Sequence, residues 1–365
     1  MASKLNQLAV RQWAVQAVLD GNGQHMSRAF GQRFGVSRMT ATRALQSLVA
    51  DGWLASSGGT RPTYQLGQNR QVIRTYPLPG VDEHIVWVQD FAPIFTLPKN
   101  IASIAHHGLT EMVNNANDHS EGKVVTVLMQ TKNGKLTILT MDDGMGIFKK
   151  IADALNLPDR RLAILELSKG KFTTDPSNHS GQGIFFTSRM FDQFQIEAND
   201  LHYDHDVRDT HDWLREVERP DTGTVVYMTI PLDSPRTTRE VFDKYSGGDN
   251  YGFEKTIVPV RLAKIGNENL VSRSQAKRLV ARFEGFKTVL LDFTGIDDIG
   301  QAFADEVFRV FCLLHPEVEL VPIKAVPAVQ QMINRARMVQ LIATQGVSPL
   351  RLVSQEAPPE SEDSE

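Results

Sequence analysis

Three short segments in the middle of the chain constrain its fold more strongly than any other feature. They are Glu111–His119, Met141–Ile147 and His179–Phe186. The first carries acidic and amide side chains three and four residues apart, which share one face of a helix. The second contains Asp-Asp-Gly-Met-Gly and the third contains Gly-Gln-Gly. Each segment alone is a weak signal, but their order and spacing predict one binding site built from all three.

The first segment ends a helix that we predict over residues 98–117, where apolar residues recur at helical spacing. Glu111, Asn115 and Asp118 lie on another face of this helix. The Glu111 carboxylate can orient or deprotonate a water molecule or a hydroxyl group. The amide oxygen of Asn115 suits Mg²⁺, which prefers oxygen ligands. The pair is therefore a candidate for holding Mg²⁺ and activating a water molecule or a hydroxyl group.

The second segment follows two β-rich runs, residues 124–128 and 136–140, which are joined by an Asn-Gly hairpin signal. A carboxylate at the end of a strand can accept a hydrogen bond from the exocyclic amine of adenine, and Asp142 has that position. Gly144 and Gly146 allow the base and the backbone to approach closely. The alternative is that this segment is only a turn.

The third segment begins a helix with Gly181, Gln182 and Gly183. Glycines at a helix N-terminus present free N–H groups to phosphate. The polar stretch before them, residues 169–180, is expected to be a mobile lid, and Lys169 is a candidate phosphate contact. Thr224 precedes a last predicted strand.

Residues of about 80–232 resemble the GHKL ATPase fold shared by gyrase B, MutL, the large heat-shock chaperones and histidine kinases. The resemblance implies an α/β sandwich that binds ATP and Mg²⁺ under a lid. It implies that Glu111 is the general base and Asn115 the magnesium ligand, and that Asp142 and Thr224 contact adenine. The other residues that it assigns to the nucleotide are Asp118, Gly144, Gly146, Lys169, Gly181, Gln182 and Gly183.

Two histidine-containing segments within this range do not fit the chemistry of the site. A histidine kinase would carry a phosphoacceptor helix before the ATP site, and none is recognisable here. His106 and His107 precede Glu111 by about one turn, and we expect both to be structural. The aspartate-rich residues 200–212 include His202, His205 and His211, but their irregular spacing favours a solvated insertion over a metal site.

The N-terminal region is basic. Residues 1–75 have nine basic and two acidic side chains, a net charge of +7 in a chain whose net charge is −4. Three helices are predicted, followed by two short strands. In the third helix we place Met39 on the apolar side, while Arg38 and Arg43 fall mainly on the other side.

Residues 34–48 closely resemble the helix-turn-helix of bacterial winged-helix repressors. The resemblance implies that the third helix lies in the major groove of DNA. The alternative is a winged helix that contacts only protein, but the charge favours DNA because phosphate neutralisation is the main source of affinity. The candidate DNA contacts are Ser37, Arg38, Thr40, Thr42, Arg43 and, in the wing, Arg61.

The C-terminal region alternates strands and helices over residues 254–345. Residues 288–293 are nearly all apolar, which is typical of a buried parallel sheet. Residues 291–296 and 299–307 resemble a STAS-like domain of uncharacterised bacterial proteins. STAS anti-anti-sigma factors carry a phosphorylated Ser or Thr at a helix start, and residues 298–302 contain neither. The domain is therefore expected to bind a partner, or to serve packing or dimerisation.

The predicted fold class is multidomain, α+β and α/β. It comprises a winged helix (1–75), a GHKL α/β sandwich (80–232), a linker (233–253), a small STAS-like α/β domain (254–345) and a disordered acidic tail (346–365). One cysteine and no apolar run of about 18 residues favour a cytoplasmic protein without membrane association.

The sequence favours an ATP-dependent DNA-binding regulator that acts as a homodimer. Two alternatives stay open. The first is a serine/threonine kinase of the anti-sigma type that acts on a partner protein. The second is an interaction scaffold that holds the nucleotide as a structural ligand.

Overall fold

The computed structural model describes residues 6–59, 61–172, 181–208, 213–218, 222–246, 252–266 and 268–345. The chain divides into two units, Met1–Ala163 with Phe172–Lys244 and Ile164–Lys171 with Tyr245–Glu365. The prediction of a multidomain chain that mixes helices and sheets is confirmed. The predicted tail and most of the predicted lid, residues 173–180, lie outside the described residues.

The first unit begins with a helical module, residues 6–66. Its core is formed around Phe30, Leu45 and Trp53, which are fully buried. The two strands of the module pair antiparallel. Its elements are α1 (Gln7–Leu19), α2 (Met26–Phe34), α3 (Arg38–Ala50), β1 (Leu54–Ser57) and β2 (Thr63–Leu66).

Helix α3 begins after Ser37, whose hydroxyl oxygen accepts a hydrogen bond from the amide of Thr40 at 3.2 Å. This is the N-cap that the sequence predicts. The placement of Met39 on the apolar side of α3 is wrong, since this side chain is 66% exposed. Three other residues fill the buried face of the helix, namely Ala41, Leu45 and Leu48.

The rest of the first unit is built on a seven-stranded antiparallel sheet in the order β3-β4-β5-β9-β6-β7-β8. Side chains alternate along its central strands, so that Val125, Val127 and Met129 are fully buried. The strands are β3 (Arg70–Pro77), β4 (Val124–Lys132), β5 (Lys135–Asp142), β6 (Gln193–Ala198), β7 (Leu201–Asp206), β8 (Trp213–Glu216) and β9 (Thr224–Pro231).

Helices α5 and α8 contact this sheet and each other. The predicted apolar face of α5 is the buried one, with Ile101, Leu109 and Val113 fully buried. The helices that follow β3 along the chain are α4 (Glu83–Ile85), which continues as a π-helix (Val86–Phe91), α5 (Lys99–His119), α6 (Ile147–Ala154), α7 (Leu162–Lys169), which belongs to the second unit from Ile164 onward, α8 (Gly183–Met190) and α9 (Thr238–Tyr245).

Two sequence-based assignments in this unit are corrected. Residues 85–88 were predicted as a strand and are helical, because the Asp82 side chain caps a turn by accepting from the Ile85 amide at 2.9 Å. A run of four apolar residues is too short to distinguish the two states. Residues 201–206, predicted as part of a solvated insertion, form β7, in which Leu201 and Tyr203 are buried.

The second unit contains a parallel three-stranded sheet in the order β10-β11-β12. Val289 and Leu291 of the central strand are fully buried, as their apolar run predicts. The elements are β10 (Lys255–Pro259), α10 (Arg273–Val280), β11 (Thr288–Asp292), α11 (Gln301–Asp305), a π-helix (Glu306–Phe311), α12 (Cys312–Leu314), β12 (Glu319–Ile323) and α13 (Pro327–Gln345).

Residues 164–171 belong to the second unit, where a buried ion pair holds them. Lys169 is fully buried, and its Nζ lies 2.6 Å from Glu166 Oε1. The same ammonium donates to the carbonyl oxygens of Arg278 and Ala281, each at 3.0 Å. Arg282 donates to the other carboxylate oxygen of Glu166 at 2.7 Å. Burial lowers the pKa of Lys169 to about 8, although the Glu166 carboxylate opposes that shift.

These contacts correct the predicted role of Lys169. An ammonium group has three N–H donors, and the three acceptors around Lys169 are Glu166 and two backbone carbonyls. The structure therefore argues against a phosphate contact by this side chain. Its role in the structure is to hold residues 164–171 to the C-terminal end of α10.

We expect Glu166→Gln to reduce the free energy of unfolding of the second unit by about 3 kcal/mol, because it removes the counter-charge of a buried ammonium. Amide hydrogen exchange of β10, β11 and β12 in the full chain measures this loss. The matched control is Glu317→Gln in the same unit, where the carboxylate is 60% exposed. Equal exchange rates in the two variants would contradict the prediction.

Candidate functional site

The turn after β5 is fixed by the carboxylate of Asp142. Its Oδ1 accepts hydrogen bonds from the amide of Gly144 at 2.9 Å and from the amide of Thr224 at 3.2 Å. The hydroxyl of Thr224 in turn accepts from the amide of Ile147 at 3.1 Å. The end of β5, the start of β9 and the start of α6 are therefore held together around one partly buried carboxylate.

Burial raises the pKa of the Asp142 carboxyl above its ordinary value, and the amides of Gly144 and Thr224 offset this only in part. A partly dehydrated acceptor makes a stronger hydrogen bond than one in water. Asp142 can therefore select a ligand that offers a hydrogen-bond donor. The neighbouring Asp143 is exposed and accepts from the amides of Lys123 and Val124, so its role is to fix the turn.

Two glycines of the second segment lie where a side chain has no room. A Cβ atom on Gly144 would lie 2.1 Å from the carbonyl oxygen of Ser120. Gly146 has φ +85°, and a Cβ atom there would lie 2.4 Å from the side chain of Asn199. The second segment thus contacts both the end of α5 and the turn between β6 and β7.

Sequence reasoning missed Asn199. Its buried side chain donates to the carbonyl of Met145 at 2.9 Å and accepts from the amide of Lys149 at 2.9 Å. Asn199 and Asp200 both have positive φ, which suits a tight turn between two strands. The Asn-Asp pair signals that turn in the sequence, but it gives no sign that the side chain reaches α6.

The first and third segments meet at Glu111. A Cβ atom on Gly183 would lie 2.0 Å from Glu111 Oε2, so only glycine at the start of α8 leaves room for this carboxylate. Gly181 has φ +67°, and its backbone lies against the carbonyl of Phe172. Gln182 lies between the two glycines, and its carbonyl accepts from the amide of Phe186 at 3.0 Å.

Asn115 and Asp118 follow Glu111 along α5. The side-chain nitrogen of Asn115 is buried without a hydrogen-bond partner among the described residues. Such an atom in a native structure calls for a ligand or a water molecule. A flip of this amide would place its oxygen at the same position. Asp118 is exposed and accepts a hydrogen bond from the Asn117 amide at 2.7 Å.

Helix α5 connects these two halves of the candidate site. Glu111 in its middle contacts the third segment, and Ser120 at its end accepts from the Met145 amide of the second segment at 3.0 Å. Nine residues of helix separate the two contacts, a distance of about 13 Å. The three segments predicted to form one site therefore lie around a single helix in the first unit.

The histidines before Glu111 contact aromatic side chains. His106 lies 5.3 Å from the ring of Trp87, and His107 lies 5.6 Å from the ring of Phe242. Burial lowers the pKa of His107 to about 4, so this imidazole is neutral at physiological pH. These contacts are those of packed side chains.

The candidate DNA contacts all lie on the surface of the helical module. Arg38, Arg43 and Arg61 are exposed, as are Ser37 and Thr40, whereas Thr42 is partly buried. Arg61 lies in the loop between β1 and β2, apart in sequence from the five on and beside α3. The module thus presents cationic side chains from both its third helix and its hairpin.

Comparison with known families bears on the second unit. Residues 275–330 match the model of a STAS-like domain of unknown function (DUF4325). They extend from α10 into α13 and include two of the three parallel strands. This part of the chain is STAS-like. The resemblance expected from residues 291–307 is therefore confirmed, while a search of curated proteins found no match.

The described residues contain neither a membrane-spanning helix nor a metal-binding cluster. None of the helices there is both long and apolar enough to cross a membrane. In the same part of the chain, no three His, Cys, Asp or Glu side chains come together as a metal site. Within the predicted insertion, His202 Nδ1 lies 2.9 Å from Glu197 Oε1, while His211 lies outside the described residues.

We expect Gly183→Ala to lower the stability of the first unit by about 1 to 3 kcal/mol, because the added methyl group collides with the Glu111 carboxylate. Thermal unfolding followed by tryptophan fluorescence measures the effect, since all four tryptophans lie in this unit. Gly59→Ala is the control, because nothing lies within 4 Å of its added Cβ. Identical melting temperatures for the two variants would refute the assignment.

Proposed function

We propose that the protein is a DNA-binding regulator that binds and hydrolyses ATP with Mg²⁺.

 The observation that carries this proposal is the convergence of three separate segments on α5 in the first unit. Glu111 lies against Gly183, and the turn that Asp142 fixes lies against Ser120. These are the residue types that a nucleotide with a divalent cation requires.

The residues present fit such a ligand. The side-chain amide of Asn115 has a buried nitrogen without a partner among the described residues, and exchanging the two atoms of this amide would offer its oxygen to a cation. Gly181 and Gln182 lie directly before α8, which begins at Gly183, and backbone N–H groups at such a helix start can bind phosphate oxygens. When bound, Mg²⁺ would neutralise phosphate charge.

Each side chain then has a defined task in the proposed reaction. Asp142 and Thr224 would bind the adenine through hydrogen bonds. Gly181, Gln182 and Gly183 would hold phosphate oxygens, and Asn115 would ligate the cation. Glu111 would orient the attacking water and accept its proton.

The helical module supports the DNA-binding part of the proposal. Its exposed arginines include Arg38 and Arg43 on α3 and Arg61 in the hairpin loop. A net charge of +7 over residues 1–75 suits a polyanion, because counterion release dominates the affinity for DNA. A winged helix of this kind reads two half-sites as a dimer, so we include a homodimer in the proposal.

The STAS-like match supports a second candidate function. Residues 275–330 are STAS-like, and anti-anti-sigma factors, which anti-sigma kinases phosphorylate, are STAS proteins. In this second function Glu111 would deprotonate a serine or threonine hydroxyl of a partner protein. The fate of the γ-phosphate distinguishes the two functions. With labelled ATP and cell extract, free phosphate alone supports the ATPase, and label on a protein supports the kinase.

We expect Asp142→Asn to weaken ATP binding at least tenfold, because the adenine amine would face an amide that is a weaker acceptor than a carboxylate. Calorimetric titration of the full chain with ATP and Mg²⁺ measures the affinity. Asp153→Asn is the matched control, since Asp153 is an exposed residue paired with Lys149. Unchanged affinity in Asp142→Asn would exclude the proposed adenine contact.

We expect Arg38→Ala to weaken binding to all duplexes by a similar factor and to lower the slope of log K against log salt by about 0.9, the value for one phosphate contact. Fluorescence anisotropy at several salt concentrations measures both quantities. Arg239→Ala is the matched control, because Arg239 is 83% exposed on α9. A slope that Arg38→Ala leaves unchanged would contradict the contact.

The same titration with and without ATP and Mg²⁺ tests regulation. We expect the nucleotide to change the DNA affinity or the stoichiometry. If neither changes, the regulatory part of the proposal is wrong, even where ATP and DNA each bind.

A further inference from the structure

We propose that Met39, Arg43 and Gln46 form a base-reading row on α3, in which Met39 reads the C5-methyl group of thymine. This inference rests on the proposed DNA-binding function and specifies which bases the module reads. All three side chains are exposed, and Met39 is 66% exposed although it is apolar. An exposed methionine at the start of a surface helix suggests contact with an apolar group of a ligand.

The hydroxyl groups around Met39 are engaged within the helix. The Ser37 and Thr40 hydroxyl oxygens lie 3.0 Å apart, and Ser37 also accepts from the Thr40 amide. The Thr42 hydroxyl donates to the carbonyl of Arg38 at 2.9 Å. These groups stabilise the first turns of α3. We therefore assign the contacts with bases to the longer side chains on the same surface.

Helical geometry places the base-reading row on one line. At 3.6 residues per turn, Met39, Arg43 and Gln46 lie within about 60° of one another around the axis. The row extends over seven residue-to-residue steps along the helix, a length of about 10 Å. Base pairs in a duplex follow one another at about 3.4 Å, so the row covers about three base-pair steps. The buried residues Ala41 and Leu45 lie on the other side of the helix.

The three side chains match three different base edges in the major groove. Apolar side chains contact the thymine methyl group, arginine donates to guanine O6 and N7, and glutamine pairs with adenine N6 and N7. The row therefore fits a half-site in which a thymine and an adenine lie about three base pairs apart with a guanine between them.

The charge around the row favours DNA over a protein partner. The exposed acidic residues of the module are Asp20 and Asp51, and neither lies on the exposed face of α3. The flanking arginines attract a polyanion such as DNA. They would add little to the affinity of an apolar contact between Met39 and a protein. The exposed arginines of the module are Arg28, Arg33, Arg38, Arg43 and Arg61.

The experiment starts from duplexes selected by the full chain from a randomised library. Each thymine of the preferred half-site is then replaced by uracil, which removes only the methyl group. We expect one replacement to weaken binding about fourfold, the equivalent of about 0.8 kcal/mol for one buried carbon. Met39→Ala should abolish that fourfold difference. Leu8→Ala is the control, because Leu8 is an exposed apolar residue on α1, and it should retain the difference.

A second substitution tests the other end of the row. Replacing adenine by 7-deazaadenine removes the N7 acceptor, and we expect a loss of about tenfold at a position about three base pairs from the sensitive thymine. Gln46→Ala should remove this sensitivity and leave the uracil effect in place. Met39 and Gln46 are exposed, so neither variant is expected to unfold the module.

The outcomes separate this inference from the proposed function. If the chain binds no duplex at low salt, the DNA-binding function is wrong and the inference with it. If it binds duplexes but every uracil replacement is neutral, or no sequence is preferred, the inference is wrong and the function stands. If Met39→Ala changes only the oligomeric state, Met39 contacts protein, which also overturns the inference.

Discussion

The carboxylate of Asp142 accepts hydrogen bonds from two places that lie far apart in the chain, the turn after β5 and the start of β9. The candidate site depends on this interaction, because it fixes the position at which α6 begins and the position at which the second segment meets Ser120. A carboxylate fully exposed to water would hold these segments together only weakly, because water competes for its hydrogen bonds. Partial burial removes the carboxylate of Asp142 from water, which costs free energy. The hydrogen bonds from Gly144 and Thr224 are the main interactions that offset this cost.

Two positions of the site require glycine because neighbouring groups leave no room for a side chain. Gly144 and Gly183 lie where another group already occupies the space of a Cβ atom, a backbone carbonyl in the first case and the Glu111 carboxylate in the second. The glycines therefore allow three segments to approach within van der Waals contact. Close approach of backbones is also what leaves N–H groups accessible to a small anionic ligand.

Much of this arrangement could be predicted from the sequence, because the decisive signals are local. The helical spacing of α5 identified its buried face, and the Asn-Gly turn identified the β4–β5 hairpin. The prediction for Lys169 was wrong because its acceptors, the carbonyls of Arg278 and Ala281, lie more than a hundred residues later in the chain. Asn199 was missed for a similar reason. Met39 was misplaced because residue type was taken as a sign of burial, whereas smaller residues of α3 fill the core.

The connection between the helical module and the sheet limits how a ligand at one could affect the other. Only residues 67–69 separate β2 from β3, and Asn69 is held by a hydrogen bond to the carbonyl of Asp51 at 2.7 Å. Arg74 on β3 also donates to the side chain of Gln16 on α1 at 3.3 Å. The module is thus attached through an edge strand, and β3 pairs with β4, which pairs with β5. β5 ends at Asp142, and β3 is hydrogen-bonded to α1 through Arg74 and Gln16. A displacement of the Asp142 carboxylate can therefore reach α1 through the continuous hydrogen bonds of β5, β4 and β3.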